Sequence, residues 1–329
     1  MKAVVYKGPE RLAFQEMPDP TPIGKEKLIK IDSVGICGSD MHAFLGHDER
    51  RPAPLILGHE VSGTIVEGAQ QGHRVTINPL VGCGECPACI SGRDNLCPDR
   101  KIISMPPKEG GFAQYICMRM ENLTVVPDGF SLEKACMAEP IACGWHAVRL
   151  AKAALGAQSG GIRALVIGGG AIGVGAALSL IAQGIQDVTV MEQNELRRDF
   201  LSAGKNFSVI ALEDLADDDH YDLVIDGVGY APTRASASKA VRPGGVIMHI
   251  GLGSAEGGLD IRRVTLQEIT FIGTYTYTAA DFRAAAAAMF DGRLGALDWY
   301  EVRPLEVGAQ AFADIRQGQV AAPKIILKP

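Results

Sequence analysis

Nowhere in its 329 residues does this sequence stay apolar for the roughly 18 to 20 positions that a membrane-crossing helix needs. Its most apolar stretches, residues 164–167 and 176–182, are short and bounded or broken by glycine. The amino terminus also lacks a long apolar segment, since Met1-Lys2-Ala3-Val4-Val5-Tyr6 runs straight into a strand-like pattern. That argues against an export signal and for a soluble, cytoplasmic protein with no membrane partner. Missing too is any stripe of Lys and Arg: 32 basic residues against 38 acidic ones leave a net charge of −6, with the cations scattered. Nucleic acid, whose binding leans on clustered cations, is excluded as a partner. There is no internal repeat or low-complexity tract, the alanine run at 284–288 being too short to count.

What is present is an ordinary globular balance of 47% apolar and 21% charged residues, with 39 Gly and 18 Pro, in a chain long enough for two domains. Up to about residue 139, short β-branched runs (28–34, 61–66, 74–77) alternate with Gly and Pro turns, which reads as an irregular, mostly β domain. From about residue 163, apolar runs at 164–167, 188–191, 223–225, 246–250 and 269–272 alternate with helical stretches. Such alternation implies an α/β, doubly wound parallel sheet with helices on both faces. An Ala-rich helix at 279–290 stops before Gly292, and a short strand at 324–327 follows. This tail is expected to return to the first domain, giving the division 1–141, 142–276 and 277–329.

Eight cysteines are present, four of them in the fifteen positions Cys83-Gly-Glu-Cys86-Pro-Ala-Cys89 to Cys97. In a reducing compartment this clustering points to metal rather than disulfides. Four thiolates close a tetrahedral zinc shell, which is the structural type of site. An iron–sulfur cluster also begins with Cys-x-x-Cys-x-x-Cys, but seven residues rather than three separate Cys89 from Cys97. Four unliganded thiols would find little core to hide in within a loop so rich in Gly and Pro.

A second set is dispersed: Gly35-Ile36-Cys37-Gly38-Ser39-Asp40-Met41-His42, then Gly58-His59-Glu60, then Ala138-Glu139-Pro140. A lone Cys is more often packing and a lone His more often structural; together they offer a thiolate, an imidazole and carboxylates. Zinc with three protein ligands and one exchangeable position polarises an alcohol oxygen, so that hydride can leave near neutral pH.

Residues 164–167 lead into Gly168-Gly169-Gly170-Ala171-Ile172-Gly173 and then a helical pattern over 174–183. The bare Gly-x-Gly-x-x-Gly says little; a strand before it and a helix after it make it a dinucleotide signature. Its glycines permit a tight turn and close approach of a pyrophosphate at a helix amino terminus. Glu192 ends the next strand, where an acid holds the ribose hydroxyls and repels the extra phosphate of NADP, so NAD is the expected cofactor. Arg197 and Arg198 lie just beyond and either soften that preference or solvate a helix start.

Taken in order, Gly-Ile-Cys-Gly-Ser-Asp-x-His, Gly-His-Glu, the four-cysteine lobe and Gly-x-Gly-x-x-Gly resemble the zinc-containing medium-chain dehydrogenases over essentially the whole chain. The resemblance implies a GroES-like catalytic domain carrying a zinc lobe at about 80–100, a Rossmann domain, two zinc ions, NAD, and a homodimer or homotetramer. It makes Cys37 and His59 ligands of a catalytic zinc, with Glu60 adjoining and Glu139 where liver-type enzymes carry a second Cys. Which glutamate binds directly is left open. Ser39 would pass the substrate proton to His42, and Asp40 would accept from His59; their plainer roles are a turn residue and a helix cap. Arg197 falls near the adenine, and Ile250-Gly251-Leu252 with Gly273-Thr274-Tyr275 near the nicotinamide half.

Glu139 in its Ala-Glu-Pro setting resembles the polyol and threonine dehydrogenase branch. The sequence departs from sorbitol dehydrogenases in having Ala43 after His42, and no Arg in Thr274-Tyr275-Thr276-Tyr277. It also has Gly72-His73-Arg74-Val75 after a shortened loop where the family carries Gly-Asp-Arg-Val. The expected reaction is oxidation of a secondary alcohol, a polyol or sugar-derived alcohol. Threonine or a small diol is the rival substrate, and a non-catalytic, redox-responsive NAD and zinc protein is the rival class.

Overall fold

The longest described strand, Glu26–Gly35, alternates apolar Leu28, Ile29, Ile31 and Val34 with polar residues and sits at the middle of a seven-stranded sheet. It pairs antiparallel with Glu60–Ile65, with Tyr115–Arg119 and with the final strand Lys324–Lys328. The register sets Gly35 opposite Glu60 on one side and opposite Ile326 on the other. Three segments far apart in sequence are thereby brought to one end of the sheet.

This computed structural model describes residues 1–156, 161–204, 206–216 and 220–329. They divide into two units: one of Met1–Pro140, Thr278–Gly292 and Ala296–Pro329, the other of Ile141–Tyr277 with Arg293–Gly295. The first unit is mostly β. Its core is sealed where Phe130 meets Phe290 edge-on at 5.0 Å, beside buried Val126, Leu132 and Ala135. Phe290 closes the helix Ala279–Phe290, which Thr278 caps reciprocally with Asp281. Asp94, inside the four-cysteine lobe, accepts from the Ala279 amide through both oxygens at 3.2 and 3.1 Å and so ties the lobe to that helix start.

The second unit holds a six-stranded, all-parallel sheet. In chain order its strands are Arg163–Ile167, Asp187–Met191, Ser208–Ile210, Tyr221–Asp226, Val241–His249 and Thr270–Gly273. Spatially the third lies beside the second, the second beside the first, and the remaining three continue outward on the other side of the first. That is the doubly wound order with its switch point beside the first strand. The buried faces of Leu165, Ile167, Val224 and Ile247 form its core.

Candidate active site

Just past the end of the central strand, Cys37 caps the short helix Gly38–Phe44. Asp40 reaches back: its Oδ2 accepts from the Cys37 amide at 3.0 Å and its Oδ1 from the Gly58 amide at 3.2 Å. The same Oδ1 lies 3.4 Å from Nδ1 of His59, an ion-pair distance without hydrogen-bond alignment. Burial favours the neutral imidazole, but Asp40 and Cys37 outweigh it and hold the proton affinity of His59 well above the usual histidine range. For Asp40, burial is overcome by His59, Arg51 and the Cys37 amide, and its carboxyl falls below the ordinary value. Asp40 is thus beside His59, where the sequence reading expects an acceptor, at ion-pair distance rather than in a hydrogen bond.

Cys37, His59 and Glu60 present ligand atoms all within 4.8 Å of one another. Glu60 is fully buried; its Oε1 accepts from Lys324 Nζ at 2.6 Å, while Oε2 has no partner. A buried carboxylate oxygen without a donor is costly, and a cation is what such an atom accepts. Glu139 is buried at the start of the helix Ala138–Leu155 but does not join the 4.8 Å set. The described residues thus gather one of the two candidate glutamates with Cys37 and His59. Ser39 and His42 lie three apart on the helix Gly38–Phe44, a spacing that shares one face.

Lys324 and Arg51 are what sequence reasoning missed. Lys324 is 2% exposed, and although burial works against its charge, Glu60, Cys37 and Glu139 prevail and raise its proton affinity. Its only signal was a lysine opening a strand whose next three residues are apolar. Arg51, equally buried, donates to the carbonyl oxygens of Ser39 at 2.7 Å and Ser104 at 3.0 Å, bracing the first turn of the Ser39 helix.

Cys83, Cys86, Cys89 and Cys97 form a second cluster with sulfurs within the same 4.8 Å limit. Backbone amides point into it: Cys83 to the sulfur of Cys97, Cys86 to that of Cys83, and Cys89 to that of Cys86, at 3.4 to 3.5 Å. The Glu85 and Cys86 amides draw the Cys83 thiol down to about 7. At Cys89 the Gly84 amide is outweighed by burial and by Cys86, Cys97 and Cys83, which push that thiol up to about 12. Four thiols this close cannot all ionise unless a cation replaces the protons, and a tetrahedral zinc shell fits this donor set.

In the second unit the predicted cofactor residues fall at one edge of the parallel sheet. Gly168, Glu192, Ile250 and Gly273 each end or follow a neighbouring strand at its carboxyl end, the edge where open α/β sheets bind ligands. Gly168 needs its positive φ of 98°, and a side chain on Gly173 would meet Gly168 O at 1.7 Å. A Cβ on Gly170, by contrast, would face open space at the start of the helix Ala171–Ala182, room that suits a phosphate. Ile172 lies in that helix's first turn, and Arg197 Nη1 stands 3.8 Å from Glu192 Oε2. Glu192 accepts from the Gly169 amide at 2.7 Å and the Asn194 amide at 2.8 Å, so it locks the glycine turn and keeps lone pairs for hydroxyls. Gly251 sits against the backbone of Val228, Leu252 is exposed, and Thr274 and Tyr275 follow the edge strand.

Comparison with known proteins agrees with these two halves. Residues 24–128 match the family described as "Alcohol dehydrogenase GroES-like domain", and residues 171–291 match "Zinc-binding dehydrogenase". The L-galactonate-5-dehydrogenase of Escherichia coli is 32% identical, the match covering 90% of this chain and 89% of that protein. This chain belongs to the zinc-containing medium-chain dehydrogenases. The sorbitol dehydrogenase of Bacillus subtilis is 33% identical over 84% of this dehydrogenase and 82% of its own length. Among solved structures, an oxidoreductase of unknown specificity from Escherichia coli superposes with a TM-score of 0.90 at 26% identity, covering 99% of this chain and 98% of its own. Acetophenone reductase from Geotrichum candidum, in complex with NAD, does so at 0.88 and 27%, covering 100% and 97%. Zinc and a nicotinamide dinucleotide are therefore the cofactors, and dehydrogenation the reaction class. No helix among the described residues is long and apolar enough to cross a membrane.

Proposed function

We propose that this dehydrogenase oxidises a secondary alcohol of a polyol or sugar-derived substrate to the ketone, in the cytoplasm, with NAD as acceptor. The observation that carries the reading is the partnerless, buried Oε2 of Glu60 beside Cys37 and His59. Bound there, zinc would supply the Lewis acid for the alcohol oxygen, and NAD the hydride acceptor. Cys37, His59 and Glu60 would hold the ion, and Glu139 would stand by as a second carboxylate. With Nδ1 of His59 turned toward Asp40, Nε2 is the nitrogen left to bind. Ser39 would accept the proton of the substrate hydroxyl and His42 would carry it toward solvent. Gly168, Gly170, Ile172 and Gly173 would seat the pyrophosphate, Glu192 the ribose, and Arg197 the adenine side. Ile250, Gly251, Leu252, Gly273, Thr274 and Tyr275 would line the nicotinamide half. Cys83, Cys86, Cys89 and Cys97 would bind the structural zinc.

The relatives' names favour polyols and sugar acids: L-galactonate-5-dehydrogenase, sorbitol dehydrogenase and D-arabitol-phosphate dehydrogenase. The division into a catalytic domain (1–141 with 277–329) and an NAD domain (142–276) is proposed on the same basis. A homo-oligomer paired along the edge strand Thr270–Gly273 is supported by Phe271, Ile261 and Leu266, all exposed apolar side chains on or just before that strand. The test is NADH formation over a panel of polyols, aldonates, diols, threonine and primary alcohols, with Cys37→Ser as control. Reduction of NAD by polyols or aldonates, abolished in the variant, is expected; full activity in the variant would overturn the assignment.

A further inference from the structure

Lys324 is an unusual residue to find where it is. It opens the strand Lys324–Lys328, whose next three residues are Ile325, Ile326 and Leu327, all buried, and a fourth apolar side chain would continue the pattern. Lysine is almost never fully buried unless paired, and a buried ion pair is poor evidence of a gain in stability. Its ammonium donates to Glu60 Oε1 at 2.6 Å and to the carbonyl of Ile36, the residue before Cys37, at 2.7 Å. Gly35 leaves the approach open, since a Cβ there would stand 1.9 Å from Glu60 Oε2. One oxygen of Glu60 is thus held and the other is free and buried.

We propose that Lys324 is a positioning residue of the Cys37–His59–Glu60 centre, pinning one carboxylate oxygen so that the other is presented to the metal. The inference rests on reading that cluster as the catalytic zinc site. Without Lys324, the Oε1 of Glu60 would lose its donor, and the carboxylate would be free to turn away, which removes a ligand. The last strand of the chain therefore completes a site whose ligands lie more than 260 residues earlier.

The experiment uses the full chain loaded with zinc and follows release of the metal to a chromogenic chelator, in the wild type and in Lys324→Met, Lys324→Arg, Glu60→Gln and the Lys324→Met/Glu60→Gln double variant. The four-cysteine site should release its ion at the wild-type rate in all of them. Lys324→Met should lose the other ion roughly 10- to 100-fold faster, the usual scale for removing a partner of a metal ligand. Lys324→Arg, which keeps a charged donor, should recover most of the difference. The double variant should release no faster than Glu60→Gln alone, because both changes act through one carboxylate. Wild-type release from Lys324→Met, or additive effects in the double variant, would overturn the inference. Lys324→Gln, which keeps a donor without the charge, carries the same comparison if Lys324→Met does not fold. A wild type that takes up zinc only at the four cysteines would instead overturn the proposed function.

Discussion

Replacing Gly35 by alanine adds one methyl group, and the structure says where it goes. It would lie 1.9 Å from Glu60 Oε2, 3.1 Å from Glu60 Cδ and 3.2 Å from Glu60 Cβ. Carbon and oxygen at rest stay roughly 3.4 Å apart, so the oxygen must retreat by about 1.5 Å. Neither side has that freedom: Gly35 is paired with both Glu60 and Ile326, and the other oxygen of Glu60 is bonded to Lys324. Gly35 has no left-handed backbone for alanine to strain, and alanine in a strand regains about 0.5–1 kcal/mol over glycine. Against an overpacking cost of about 1–3 kcal/mol, the net loss should be about 0–2.5 kcal/mol. The larger consequence is chemical, because the displaced atom is the candidate zinc ligand. Urea denaturation measures the first effect, and zinc content with NADH formation the second. Gly35→Ala should keep zinc at the four cysteines and lose it, with activity, at Cys37. Gly38→Ala is the control, since its Cβ would meet nothing within 4 Å. A Gly35→Ala protein with both zinc ions and wild-type turnover would refute the placement of Glu60 among the ligands.

Two further outcomes follow from charges held in place. Lys328 and Ser131 hydrogen-bond Glu133 and hold its carboxyl down at about 2, below the ordinary 4.5. A depressed folded value stabilises the protein above the unfolded pKa and stops doing so as pH falls through the folded one. Relative to Glu133→Gln, the wild type should gain about 1 kcal/mol near neutrality, discounted because the pair is solvated. That gap should shrink between about pH 4.5 and 2, as followed by urea midpoints; a gap constant with pH would count against it. Glu192→Ser removes the charge proposed to repel a ribose phosphate and the acceptor that locks Gly169. The ratio of kcat/KM for NADP over NAD should rise at least about tenfold, worth about 1.4 kcal/mol; an unchanged ratio would remove Glu192 from cofactor selection.

Local pattern carried most of the second unit. Its strands are apolar runs bounded by turns, and the observed Asp187–Met191 and Tyr221–Asp226 exceed the expected 188–191 and 223–225 by only a few residues. The helix expected over 174–183 begins earlier, at Ala171, because Gly170 already serves as its cap. The three-residue strand Ser208–Ile210 escaped notice: it is an edge strand, and three residues are too few to display a period. Helix Ala279–Phe290 coincides with its expected limits because a capping box and Gly292 mark both ends. In the first unit the clustering of the four cysteines was legible because they fall within fifteen positions. The Cys37 site was legible only as a set of pieces, since pairing of strands far apart in sequence decides which carboxylate arrives.

That difference has a consequence for how the two metal centres form. The four cysteines span fifteen positions, and three of their sulfurs accept amides from within that span. The Cys37 centre needs the Glu26–Gly35 strand paired on both sides, with Glu60 from one neighbour and Lys324 from the other. Closing a loop of that length costs little more than closing one of half the length, because the entropy grows only logarithmically. What it does require is that the last strand be docked before Glu60 has its counter-charge. A protein whose final strand is displaced should therefore keep the four-cysteine zinc and fail at the other centre, which couples catalytic competence to completion of the sheet.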